Sequence, residues 1–90
     1  MQSIHAVLRG RVQGVGYRAF VLGRAREHGV HGEVRNTADG NVVVIAEGDV
    51  EKLESFLAEV REGPIHARVE HVDVRANEGT PRYRGFTISG

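Results

Sequence analysis

A run of nine residues near the start of the chain combines three glycines with an arginine. The run is Gly10-Arg11-Val12-Gln13-Gly14-Val15-Gly16-Tyr17-Arg18. Glycine permits positive φ angles, so successive backbone N–H groups can turn inward and form a concave nest for an anion. At the N-terminus of a helix such a nest favours negative charge, and an arginine in the first turn can add a bidentate contact. The run therefore predicts a phosphate-binding loop made of Gln13, Gly14, Val15, Gly16, Tyr17 and Arg18.

Other phosphate-binding motifs fit this run poorly. A Walker A loop needs Gly-x-x-x-x-Gly-Lys-Ser/Thr, and the run contains no lysine. Gly14-x-Gly16-x-x-Ala19 matches the dinucleotide fingerprint in form, but 90 residues cannot supply a doubly wound sheet. A tight strand-to-helix connection without a ligand remains the alternative interpretation of the run.

Asn36 is the second candidate, because it closes a predicted strand just before a turn. An asparagine there often bonds only to its own backbone. Its neutral amide can also donate and accept, so it can hold a water in line with a bound phosphate. We therefore predict Arg18 and Asn36 as the catalytic residues.

The candidate site contains no acid, base, cysteine or metal cluster, which restricts the reaction. The five histidines show no metal-binding spacing, and Glu47, Asp49 and Glu51 are more typical of a helix start. An alkyl phosphate needs a general acid or a metal, since an alkoxide leaves poorly. An acyl phosphate releases a carboxylate, whose pKa is about 4, so it needs no proton to depart. Positioning and charge stabilisation are then enough, and we predict no metal and no cofactor.

The elements that must position these residues follow from hydrophobic periodicity and turn signals. Thr37-Ala38-Asp39-Gly40 has turn chemistry and joins two strands into a hairpin, and Asp49 is a candidate N-cap. The second helix carries an apolar face of Val50, Leu53, Phe56, Leu57 and Val60. The predicted elements are strand 4–11, helix 17–28, strands 30–36 and 41–47, helix 49–62, strand 68–76 and strand 86–88.

This order predicts a ferredoxin-like α+β sandwich, βαββαβ, with an antiparallel sheet and two helices on one face. In that topology strands one and two run parallel with strand three between them. Their carboxyl ends then share one edge of the sheet, about 10 Å apart. The glycine loop, Arg18 and Asn36 should therefore face a common site.

Composition limits the class of protein. Ninety residues predict a single domain, 1–90, and 40% hydrophobic and 27% charged residues suit a soluble globular protein. A formal net charge of zero argues against a general nucleic-acid or membrane-surface binder. With no cysteine, no signal peptide and no long apolar run, we expect a cytoplasmic monomer.

Two motifs resemble the acylphosphatase family. They are Gly10-x-Val12-Gln13-Gly14-Val15-Gly16-Tyr17-Arg18 and Gly32-x-Val34-x-Asn36-x-x-Asp39-Gly40-x-Val42. Gly63-Pro64 and the closing Phe86-x-Ile88 are similar too, so the resemblance covers essentially the whole chain.

The resemblance implies hydrolysis of the carboxyl–phosphate bond of a small-molecule acyl phosphate, with carboxylate and inorganic phosphate as products. It implies that Arg18 and the loop amides bind the phosphoryl group, that Asn36 orients the attacking water, and that the substrate's phosphate takes the proton. Glu33 departs from the family pattern, which often has an aromatic residue there.

Two alternatives come from other classes of protein. One is a non-catalytic module that binds phosphate or carbamoyl phosphate, against which we count the lack of further domains after Gly90. The other is an RNA-binding module of the same topology, which would need a basic surface and aromatic residues on the open sheet face. Two Tyr, three Phe, no Trp and zero net charge argue against it.

Overall fold

A computed structural model describes residues 1–90 of the protein, and it contains five strands and two helices. Their bounds are β1 Gln2–Arg11, α1 Tyr17–His28, β2 His31–Asn36, β3 Val42–Gly48, α2 Val50–Glu62, β4 Arg68–Glu78 and β5 Phe86–Ile88. This order confirms the predicted ferredoxin-like α+β fold, with the strand boundaries shifted by one or two residues.

The strands form one sheet in the order β4-β1-β3-β2-β5. The first four strands pair antiparallel, as predicted, whereas β5 lies parallel to β2. The sheet is therefore mixed rather than purely antiparallel. The parallel pairing arises because the β4–β5 connection carries the chain from one edge of the sheet to the other.

The core lies between the sheet and the two helices, which both pack on one face. Alternate residues of β1 are buried there, as expected for a strand with one covered face: Ile4, Ala6 and Leu8. Helix α1 contributes Tyr17, Val21 and Ala25, and helix α2 contributes Leu53, Phe56 and Val60. Neither helix has the length and apolar character needed to cross a membrane.

Two predictions about the start of α2 are wrong. Val50 is 50% exposed, because the buried stripe of the helix begins one turn later at Leu53. Glu47 does not start the helix. It lies in β3 with 5% exposure, and its carboxylate accepts the backbone N–H of Arg82 and Tyr83 at 2.9–3.0 Å. Asp49 occupies the N-cap position but makes no side-chain capping hydrogen bond.

The topology brings the two candidate motifs together. Strand β3 pairs antiparallel with both β1 and β2, so β1 and β2 run parallel on either side of it. The glycine loop follows the end of β1, and Asn36 is the last residue of β2. Both therefore lie at the same edge of the sheet, as the sequence predicts.

Candidate active site

The loop between β1 and α1 is shaped by two glycines in the left-handed region. Gly14 has φ +73° and Gly16 has φ +76°, and no residue other than glycine has positive φ in the chain. A Cβ built at either glycine would meet no atom within 4 Å, so these glycines serve the backbone turn and leave open space above it.

The backbone amides of this loop are unused. No N–H from Gln13 to Ala19 donates to an acceptor within the protein, and the first bonded amide is that of Phe20, which donates to the Gly16 carbonyl at 3.1 Å. The first amides of α1 lack partners because an α-helix cannot satisfy its own N-terminus. Free amides together with the positive end of the helix dipole form an anion-binding site.

A cavity of about 250 Å³ opens above the loop and contains both predicted catalytic residues. Its lining consists of Val12, Gly14, Gly16, Tyr17, Arg18, Ala19, Asn36 and Ile88. No histidine, aspartate or glutamate lines the cavity, and no group of three metal-binding side chains occurs anywhere in the chain. Arg18 is the one charged side chain in the lining.

Arg18 lies in the first turn of α1 and keeps most of its donors free. One guanidinium nitrogen, Nη1, donates to the backbone carbonyl of Gly90, and Arg18 takes part in no ion pair. A guanidinium has five N–H donors, so a fork remains for an oxyanion. The first turn of α1 also contains no acidic residue to compete for it.

Asn36 lines this cavity with a side-chain amide that makes no hydrogen bond within the protein. Its side-chain Oδ1 is buried and has no hydrogen-bond partner. Its backbone N–H donates at 3.1 Å to the carbonyl of Gly90, which also accepts from Arg18. Buried polar atoms are normally paired, so the free side-chain amide of Asn36 is a candidate partner for a bound molecule.

Two of the predicted loop residues do not line the cavity. The Gln13 side chain turns away, and its Nε2 donates to the carbonyls of Thr37 at 2.9 Å and Asn41 at 2.8 Å. Val15 packs against the core. Gln13 therefore ties the loop to the turn of the β2–β3 hairpin, directly after Asn36.

The hydroxyl of Tyr17 also bonds to a residue outside the cavity. The side chain is 2% exposed, and its hydroxyl donates to the carbonyl of Val60 in the last turn of α2. Burial raises the pKa of the Tyr17 phenol above its usual range. The hydroxyl is therefore engaged by α2, although Tyr17 belongs to the cavity lining.

Sequence reasoning missed the contribution of the segment that contains β5. Ile88 lines the cavity, and Gly90 supplies the carbonyl shared by Arg18 and Asn36. The Phe86-x-Ile88 pattern was the one available signal, and it indicates a strand without telling which strand it joins.

A larger cavity of about 480 Å³ lies under the β4–β5 connection, away from the glycine loop. Its buried carboxylate, Glu47, is already satisfied by backbone amides of that connection. Free donors and acceptors concentrate in the smaller cavity, which is therefore the better candidate for chemistry.

Comparisons with known proteins point to one family. The family model described as Acylphosphatase matches residues 4–88. An acylphosphatase of Deinococcus radiodurans is 52% identical over 75 residues, which cover 83% of this chain and 86% of that relative. The crystal structure of an acylphosphatase from Bacillus subtilis superposes with a TM-score of 0.97 at 33% identity, covering 100% of both chains. HypF from T. kodakarensis matches with a TM-score of 0.87 at 30% identity, over 99% of this chain and 12% of that one.

Proposed function

The chain belongs to the acylphosphatase family and hydrolyses acyl phosphates, and we propose that Arg18, the loop amides and Asn36 carry out that reaction. The observation that supports this assignment is that Arg18 and Asn36 line the same cavity and that the Asn36 side chain makes no hydrogen bond within the protein. One residue offers a place for water, and the other offers charge for a phosphoryl group.

In this mechanism the phosphoryl oxygens lie against the free amides of residues 13–19 and the free guanidinium donors of Arg18. The transition state of phosphoryl transfer spreads negative charge over the three equatorial oxygens, so fixed N–H groups that point at them stabilise it. The helix dipole of α1 acts in the same direction. None of these groups has to move or ionise for the reaction to occur.

Asn36 positions the nucleophile. Its side-chain amide hydrogen-bonds a water molecule, which places the water oxygen in line with the carboxyl–phosphate bond. The water attacks phosphorus as the bond to the carboxyl oxygen breaks, and its proton passes to a phosphoryl oxygen of the substrate. The carboxylate leaves unprotonated because its pKa is about 4. Carboxylate and inorganic phosphate result.

We also propose that residues 1–90 act as a single domain and a cytoplasmic monomer, with no metal and no nucleic-acid partner. The balanced charge and the lack of cysteine support this proposal.

The test measures benzoyl phosphate hydrolysis by Arg18→Ala and Asn36→Ala, together with inhibition by inorganic phosphate. We expect both variants to fold and to lose nearly all activity. Arg18→Ala should also raise the inhibition constant of phosphate about 10- to 100-fold, as expected for loss of a charge-assisted contact of about 1.5–3 kcal/mol. Asn36→Ala should leave that constant nearly unchanged, since water and not phosphate contacts Asn36.

Arg26→Ala is the matched control, because Arg26 is an exposed arginine of α1 that lies outside the cavity. It should retain wild-type activity and phosphate inhibition. Wild-type turnover by Arg18→Ala or by Asn36→Ala would overturn the role assigned to that residue.

A further inference from the structure

The cavity lined by Arg18 and Asn36 also has exposed apolar residues in its lining. Ile88 is 41% exposed, although it is a large aliphatic residue, and exposed Ala19 lies beside it in the cavity lining. The other two apolar lining residues, Val12 and Tyr17, are at most 2% exposed. Ile88 therefore supplies most of the apolar surface that a ligand could still cover.

Ile88 is held in place. It aligns with Val34 in the parallel β2–β5 pairing, and Phe86, two residues earlier on the same face, is buried against Phe56 with ring centroids 5.9 Å apart. The next residue, Ser89, donates its backbone N–H to Val34 at 2.9 Å. On this face of β5, the Phe86 side chain therefore lies in the core and Ile88 lines the cavity.

The cavity lining offers a ligand a single charged side chain. Arg18 is the only charged side chain in the lining, and the free amides belong to the loop below it. An acyl group that contacts Ile88 would bury apolar surface. A second negative charge on that group would lose hydration and find no further cation in the lining once Arg18 binds the phosphoryl group.

We propose that Ile88, with Ala19, contacts the acyl group and gives the enzyme a preference for acyl phosphates whose acyl group is apolar and uncharged. This inference rests on the proposed function, because it takes the phosphoryl group to lie on Arg18 and the loop amides. Ile88 is then a specificity-determining residue that contributes nothing to the phosphoryl end.

The experiment compares kcat/KM for three substrates in the wild type and in Ile88→Ser. Acetyl phosphate has a minimal acyl group, benzoyl phosphate has a large apolar one, and 4-carboxybenzoyl phosphate adds a charge at nearly the same size. We expect the variant to lose about five- to tenfold on benzoyl phosphate relative to acetyl phosphate, as loss of a partly exposed apolar contact would give. The wild type should prefer benzoyl to 4-carboxybenzoyl phosphate by about tenfold.

Ile65→Ser is the matched control, since Ile65 is 93% exposed and lies outside the cavity. It should leave all three values unchanged. Ile88→Leu keeps the apolar contact and should restore the benzoyl preference, which also guards against a folding defect in Ile88→Ser. The inhibition constant of inorganic phosphate should stay the same in both Ile88 variants, because phosphate has no acyl group.

An equal loss on acetyl and benzoyl phosphate, or a raised inhibition constant for phosphate, would overturn the proposal and make Ile88 a support for the phosphoryl end. Equal turnover of the charged and uncharged benzoyl substrates by the wild type would overturn it as well. Failure of the proposed function would give a different result. In that case Arg18→Ala would remain active, while the Ile88 variants would still give the expected values.

Discussion

At the scale of single residues, the site is defined by groups that have no partner. Arg18 uses one N–H donor to bond the Gly90 carbonyl, and the Oδ1 of Asn36 has no hydrogen-bond partner. Several carboxylates elsewhere in the chain do have partners: Glu47 bonds to backbone amides, Glu59 to Arg24 and His28, and Asp39 to Thr37. The proposed phosphoryl site differs from these carboxylates because its donors and its amide oxygen are still free.

Glu33, the residue that departs from the family pattern, has a structural partner for each oxygen. Ser89 Oγ donates to Oε1 at 2.7 Å, and the Tyr83 hydroxyl donates to Oε2 at 2.8 Å. These hydrogen bonds, that of Ser89 foremost, lower the pKa of Glu33. A carboxylate at this position therefore fastens β2 to residues on both sides of β5.

We predict that Glu33→Gln destabilises the protein in a pH-dependent way. The folded-state pKa of Glu33 lies below its unfolded value, so its contribution is full above the unfolded pKa and disappears as pH falls through the folded one. The difference in unfolding free energy between wild type and variant should be constant above about pH 5 and shrink toward about pH 3. Urea unfolding at several pH values measures it.

The control for this series is Glu54→Gln, which changes an exposed carboxylate of α2 that has no hydrogen bond or ion pair. Its difference from wild type should be small at every pH. A Glu33→Gln difference that grows as the pH falls would contradict the assigned direction.

At the scale of elements, the glycine loop is attached to both of its neighbours. Gln13 connects it to the β2–β3 hairpin, and Tyr17 connects the start of α1 to the end of α2. The carbonyl of Val60 lies in the last turn of α2, where helix carbonyls lack intrahelical donors. The Tyr17 hydroxyl therefore supplies a partner that α2 cannot provide for itself.

We predict that Tyr17→Phe lowers the free energy of unfolding by about 1–2 kcal/mol, because it leaves a buried carbonyl without its donor. Urea unfolding at neutral pH is the measurement. Tyr83→Phe is the matched control, since Tyr83 is less buried and water can replace its hydroxyl, and it should cost less. Equal stability of Tyr17→Phe and wild type would show that the Val60 carbonyl finds another donor.

At the scale of the whole molecule, nothing in the distribution of side chains offers a cation site. No three metal-binding side chains come together, and the twelve basic and twelve acidic residues balance. In the proposed site, one arginine, the free amides of residues 13–19 and the helix dipole would provide the charge that the phosphoryl group requires.

We predict that benzoyl phosphate hydrolysis is unchanged after incubation with excess EDTA followed by removal of the chelator. The carboxylate leaving group needs no Lewis acid, and Arg18 with the loop amides supplies the positive charge. Steady-state kinetics before and after treatment measure the effect, and added Mg²⁺ serves as a second arm. Lost activity that Mg²⁺ restores would contradict the metal-free mechanism.

The sequence by itself determined the order of the elements and the meeting of Arg18 with Asn36. Hydrophobic periodicity and turn residues are local signals, so they identify the strands, the helices and the hairpin. The βαββαβ order then has a known topology, which puts the ends of β1 and β2 at one edge of the sheet. For this reason the sequence predicts that the motifs at residues 10–18 and 32–42 lie close together in the fold.

Only the tertiary structure decided which distant groups complete the site. The parallel pairing of β5 with β2, the position of Ile88 at the cavity mouth and the Gly90 carbonyl beside Arg18 depend on contacts between residues up to 72 positions apart. The burial of Glu47 under the β4–β5 connection is of the same kind, with its donors 35 and 36 positions away. Such contacts leave no periodic pattern in the chain, because they are selected by packing of the whole sheet and not by the neighbours of each residue.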